Sequence, residues 1–209
     1  MIASGPSPPL AFTVGPVADN TGNFKLGPDD GRIVLKTGRA GLAAMAGHDL
    51  TIEVTRWSAT VDVPDGDAGG VTAAKVSAEL DLGSLEVREG TGGAKLLTDR
   101  DRADIRKTMA GILGGGTASF ASSRIVRSGA SGGAIEGTLT LAGKTVPLRL
   151  QVSEPGPGRY RATGTAVQTA HGIKPYVGFF GALKLRDEVG VEVEVTLPAE
   201  KTPPAAGSA

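Results

Sequence analysis

Few residues in this chain could do chemistry, and their spacing limits what chemistry that could be. His48-Asp49 is the one adjacent pair able to act as a general acid and base, or as a polar anchor for a head group. Neighbouring residues of a strand point to opposite faces, so the two serve one site only if the backbone bulges there; otherwise His48 is a hydrogen-bonded strand-end residue. The second histidine, His171, stands in a loop before Gly172 and reads as solvent-exposed. Two histidines and no cysteine exclude disulfides, zinc fingers, iron–sulfur clusters, thiol catalysis and a three-histidine metal centre. No further ligand set completes a metal site, and no cofactor is expected.

Arg100, Arg102, Arg106 and Lys107 could grip a diphosphate. They alternate with Asp99, Asp101 and Asp104, the pattern of a solvated helix face laced with ion pairs. Gly143-Lys144-Thr145 lacks the earlier glycine of a phosphate loop and sits in a hairpin turn. There is no Gly-x-Ser-x-Gly elbow. With 22 basic and 22 acidic residues the net charge is zero, against nucleic-acid binding and against a polybasic membrane-surface protein.

The elements that would position these residues are mostly strands. Leu50, Ile52 and Val54 alternate with Thr51, Glu53 and Thr55; after Arg56 the parity flips to Trp57, Ala59, Val61 and Val63, the mark of a β-bulge. Period-two runs recur at Ile33–Leu35, Ala74–Leu82, Ala118–Val126, Ile135–Leu141, Val146–Val152, Tyr160–Thr169 and Val189–Leu197. The pair of runs around Ala142–Thr145 is a hairpin, and Pro147 belongs at an edge or a strand start. One segment has helical spacing: Thr98 as N-cap, Asp101 in the first turn, then Ile105, Met109, Ile112 and Leu113 before Gly114-Gly115-Gly116. It predicts a short helix over 99–113.

These runs make an all-β domain of about eight antiparallel strands, wet on one face, closed into a barrel or folded as a sandwich. Residues 1–22 read as a flexible lead-in, 23–198 as one domain and 199–209 as a disordered tail. No segment has the roughly 20 apolar residues of a spanning helix, and the start makes a poor signal peptide. The expected location is cytoplasmic; a misassigned start codon would make it secreted or periplasmic.

One Trp, two Tyr and five Phe are few for a core of this size, so the inward positions are mainly Val, Ala, Leu and Ile. A barrel lined by small side chains has room for one ligand unless loops and the helix plug it. Tyr176, Phe179 and Phe180, in the stretch Tyr176–Gly181 between glycines, would cover the opening.

Three stretches resemble the YceI-like family. They are Gly41–Val54 with Ala46-Gly47-His48-Asp49-Leu50; Asp99–Ile125 with Thr117–Ser123; and Gly137–Leu148, followed by Gly172–Tyr176 and Leu183–Val189. The resemblance implies an extended eight-stranded antiparallel lipocalin-like barrel with one short helix, and an elongated pocket for a lipid or polyisoprenoid chain. The expected function is a non-enzymatic carrier of an isoprenoid or fatty chain, whether in transport, storage or stress protection. His48 would contact the head group. Val54, Trp57, Leu80, Phe120, Leu139, Leu150, Tyr176, Phe179 and Phe180 would form lining or lid. Two alternatives stay open: an enzyme on a small apolar substrate with His48 as acid/base, and a filled structural barrel acting through its surface. A homodimer is also left open.

Overall fold

The structure is a computed structural model that describes residues 22–64, 70–129 and 131–198. The expected lead-in and tail lie outside the described residues, apart from Gly22.

Among the described residues, fourteen strands and one α-helix follow one another. They are β1 (Gly22–Leu26), β2 (Gly31–Lys36), β3 (Arg39–Ala40), β4 (Asp49–Val54), β5 (Trp57–Val63), β6 (Lys75–Asp81), β7 (Leu85–Thr91), α1 (Asp99–Leu113), β8 (Thr117–Ser128), β9 (Gly132–Leu141), β10 (Lys144–Gly156), β11 (Arg159–Val167), β12 (Val177–Gly178), β13 (Leu183–Leu185) and β14 (Glu188–Thr196). Eleven form one curled antiparallel sheet in the order β1-β5-β6-β8-β9-β10-β11-β14-β2-β4-β7; β12, β13 and β3 form a small second sheet.

The expected count of eight is therefore corrected to eleven, for three reasons. β1 begins at Gly22, the last residue of the expected lead-in, and Phe24 and Leu26 are too short an alternation to read as a strand. β7 has only a short alternation, Leu85 and Val87, too brief to stand out as a strand. The run from Asp49 to Val63 is two strands, because the parity flip marks a corner between them. At that corner Thr55 and Arg56 separate β4 from β5. The buried Ser84 holds it: its Oγ accepts from the Arg56 amide at 2.9 Å and donates to the Asp81 carbonyl at 2.7 Å. The flip keeps Leu50, Ile52 and Val54 and then Trp57, Ala59, Val61 and Val63 all facing the interior.

The same corner explains the curl. β5 pairs with β1 and β6 at one end of the strand order, while β4 pairs with β2 and β7 at the other. The two ends of the sheet are thus carried by consecutive pieces of the same segments, so the sheet curls round on itself, with β1 and β7 left as its two edge strands. Pro147 sits in β10 opposite Thr138 of β9; the ladder from β10 to β11 begins only at Gln151, so Pro147 is locally at an edge.

Helix α1 starts where the sequence places it. The Thr98 hydroxyl accepts from the Asp101 amide at 3.2 Å, and the Asp101 carboxylate accepts from the Thr98 amide at 2.9 Å, a capping box. The Thr98 hydroxyl also donates to the Asp101 carboxylate at 2.6 Å, and this bond with that from the amide holds the Asp101 carboxyl below the ordinary carboxylate value, the His48 imidazole acting in the same direction. Gly114, with φ +69°, ends the helix in the left-handed conformation. Ile105, Met109 and Leu113 pack against the main core beside Trp57, Val54 and Leu85, although no residue of α1 is fully buried.

Candidate functional site

The curled sheet encloses a hollow of about 1290 Å³. This exceeds the ~300–1,000 Å³ of ordinary small-molecule sites. Its wall is built by the inward parity of nearly every strand: Ile33 and Leu35 from β2, Leu148, Leu150 and Val152 from β10, and Val189, Val191, Val193 and Val195 from β14. Small side chains keep it open. Ala59 of β5 stands opposite Ala78 of β6, which stands opposite Phe120 of β8, and all three line the hollow. Gly137 of β9 is buried against the ring of Phe120; a Cβ there would lie 2.6 Å from its Cζ.

Along its length the hollow passes from His48, Lys95 and His171 at one end to Val63, Val71 and Leu197 at the other. The first end is where β2, β7, β9 and β11 finish and β4, β8, β10 and β14 begin, as the register shows. Val71 is exposed and part of the wall at the far end too, but this first end reaches the surface more widely, through Met45, Leu96 and Tyr176. We call it the mouth.

His48 lies just before β4, over Gly90 and Gly93; a Cβ at Gly93 would be 2.5 Å from its Nε2. Nε2 is 2.8 Å from the Lys95 carbonyl, which can only accept, so Nε2 carries the proton and donates. Asp49 turns elsewhere: its Oδ1 accepts from the Arg39 amide at 2.8 Å and lies 3.6 Å from Arg39 Nε. His48 and Asp49 therefore do not form an acid–base dyad, as strand alternation requires.

Arg39 was not singled out in the sequence, yet it organises the mouth. Its Nη1 donates to the carbonyls of Ala44 at 3.2 Å, of Gly47 at 2.9 Å and of Gly92, joining the loop before β4 to the loop after β7. No local pattern marks it, because its partners are backbone carbonyls brought together by the fold.

His171 corrects an expectation. It is 2 % exposed rather than solvent-facing, because the turn Thr169–His171 folds under the start of β10. Its Nδ1 donates to the Lys144 carbonyl at 3.1 Å, and the residue is part of the wall. In the neutral ring this leaves Nε2 as an acceptor.

Of the residues singled out in the sequence, His48, Val54, Trp57, Leu80, Phe120, Leu139, Leu150 and Tyr176 all contribute to the wall. Val54 is the most buried, at 1 % exposure. The expectation for Phe179 falls on a side chain outside those described. Phe180 is not part of the wall: it is 113 % exposed, held outward by a left-handed backbone with φ +53°. Arg100 and Arg106 of α1 are exposed, whereas Arg102 is half-buried, 3.7 Å from Asp99 and donating to the Arg88 carbonyl of β7. Among the described residues no cluster of three or more His, Cys, Asp or Glu could hold a metal, and no helix is long and apolar enough to cross a membrane.

A family model described as a YceI-like domain matches residues 24–197. Comparison with curated proteins finds no match. Among solved structures, BcnA of Burkholderia cenocepacia superposes with a TM-score of 0.54 at 17 % identity, covering 80 % of this chain and 96 % of that one. This likeness is one of fold. A domain of Saccharophagus degradans described as polyisoprenoid-binding gives 0.47 at 13 % identity, covering 86 % and 100 %. The YCEI protein of Campylobacter jejuni gives 0.46 at 14 %, covering 71 % and 85 %.

Proposed function

The chain belongs to the YceI-like family, and from that premise we propose that it binds and carries a long apolar chain, an isoprenoid or a similar lipid, inside the hollow. The observation that carries this reading is the wall itself: one continuous space of about 1290 Å³, open at a mouth and faced almost throughout by aliphatic side chains. A flexible chain is the ligand whose shape suits such a space. Each methylene moved from water to the wall contributes ~0.8 kcal/mol, so a tail of several isoprene units binds tightly without a specific polar contact.

Polar groups are a minority of the lining, among them His48, Lys95 and His171 at the mouth, Asp101, Asp104 and Thr108 on α1, and Arg127 and Glu154 elsewhere. At the mouth His48 and Lys95 stand where a head group would remain, and His48 is our candidate for its contact. Val54, Trp57, Leu80, Phe120, Leu139 and Leu150 would surround the tail. An enzymatic role for His48 finds no support in the geometry, because Asp49 is turned to Arg39, Nε2 is engaged by the Lys95 carbonyl, and Asp101, whose carboxyl feels the imidazole, is held by Thr98. The filled-barrel alternative is disfavoured by the open interior.

The test is uptake. Purified protein is titrated with polyprenols of increasing length, and bound chains are weighed by native mass spectrometry. One chain per protein, with affinity rising with length to a plateau, is the expected result. Failure to take up any chain overturns the reading, and so does recovery of a chemically altered chain.

A further inference from the structure

The mouth is ringed by exposed apolar side chains. Leu42 and Met45 project from the loop after β3, Leu96 from the loop after β7, and Val177 and Phe180 from β12 and the turn that follows it. Leu42 is 102 % exposed, Leu96 91 % and Phe180 113 %. Single exposed apolar residues need no explanation, but five on three loops around one opening form a patch. Phe180 adds a sign of purpose: a bulky residue in the left-handed region is uncommon and unfavourable, and here that backbone turns a phenyl ring into water.

The charge on these loops is one-sided. Segments 40–48, 92–98 and 170–185 contain no Asp or Glu, although the whole chain has as many acids as bases. Their charged residues are Lys95, Lys174 and Lys184, all exposed. These apolar tips are interleaved with ammonium groups, and the carboxylates that flank the segments are engaged locally, Asp49 by Arg39, Asp99 by Arg102 and Asp101 by Thr98. Such a rim matches an anionic bilayer surface: the tips enter the boundary of the acyl region, and the lysines meet the head groups. A second copy of the same face is a poorer occupant, since it would set lysines against lysines with only locally engaged carboxylates beside them. Met45 and Leu96 belong both to this rim and to the wall, so the rim runs on into the hollow.

We propose that the mouth end docks on the surface of a lipid bilayer bearing anionic head groups. Docked in this way, the mouth opens onto the acyl region, and a chain can pass into the hollow without crossing water. That purpose rests on the carrier reading, but the docking itself does not.

The experiment is co-sedimentation of the full chain with vesicles of phosphatidylcholine, alone and mixed with phosphatidylglycerol. Wild type is expected to sediment with the mixed vesicles, less with phosphatidylcholine alone, and less as salt is raised. The double variant Leu42→Asp, Phe180→Asp changes two side chains outside the wall. It should lose about tenfold or more of the vesicle partition, while keeping the circular dichroism spectrum and polyprenol uptake of wild type. Equal sedimentation of variant and wild type overturns the proposal, as does wild type left in the supernatant with both vesicles. A wild-type dimer by light scattering that the double variant makes monomeric assigns the rim to a second copy and also overturns it. Vesicle docking with no polyprenol uptake would fell the carrier reading and leave docking standing.

Discussion

Placing one aromatic ring in the hollow separates a binding interior from a merely loose one. Ala78 is suited to this, because its cross-strand neighbours are Ala59 on one side and Phe120 on the other, all facing the interior. Ala78→Phe adds a ring where the wall is thinnest. Full burial of such a side chain is worth ~1.5–3 kcal/mol, so the variant should resist urea as well as wild type or better. A bound chain, however, loses the volume the ring occupies. Displacing two to four methylenes removes about 1.6–3.2 kcal/mol, which weakens binding by about 15- to 200-fold. The matched control is Glu79→Phe, one residue along β6 and exposed on the outer face, which should leave affinity within about twofold. Isothermal titration with a polyprenol reads both. If Ala78→Phe binds as wild type, or if both variants weaken equally, the chain is not held in the hollow.

Other consequences can be measured directly. Thr98→Ala removes the capping box, lowering stability by about 0.5–2 kcal/mol, and amide exchange over 99–113 should quicken first. Arg39→Met strips donors from three carbonyls, costing about 1–3 kcal/mol and loosening segments 43–48 and 91–95 in the same exchange experiment. Gly137→Ala drives a methyl into the Phe120 ring and the Ala121 carbonyl, and denaturant unfolding should show a loss of about 1–3 kcal/mol. The guanidinium groups of Arg161 and Arg32 hold the Glu194 carboxyl below its ordinary 4.5. A depressed folded value means this small, surface-screened contribution is present above about pH 4.5 and is lost as pH falls through the folded value. Glu194→Gln should flatten that part of the acid stability curve.

The sequence carried the wall better than the mouth. Alternation is a local signal, and it placed the inward parity of β4, β5, β6, β10 and β14 because each such strand has one wet face. The helix was legible for the same reason: its cap, periodicity and terminal glycines all lie within one stretch, and they bound Asp99–Leu113 in the structure. The Thr55–Arg56 corner left a trace, the parity flip, but a flip alone does not distinguish a bulge from a turn between separate strands. What escaped depends on contacts across the chain. Arg39 acts on carbonyls supplied by two other loops, and His171 is buried by a β10 start that lies 27 residues away in sequence. Phe180 belonged to a cluster whose composition suggested a cover, whereas its backbone conformation turns it outward.

The position of β14 has a consequence for how the protein comes to exist. It is paired with β11 on one side and with β2 on the other, so Ile33 must find Val193. Until residue 196 has left the ribosome, β2 and β11 both present unsatisfied backbone edges, and the greasy interior is open along its whole length. Closure at such sequence separation is slow, and unpaired edges invite association with neighbouring chains. During synthesis this architecture is therefore most vulnerable at its last step, and a chain truncated before Glu188 should aggregate rather than fold.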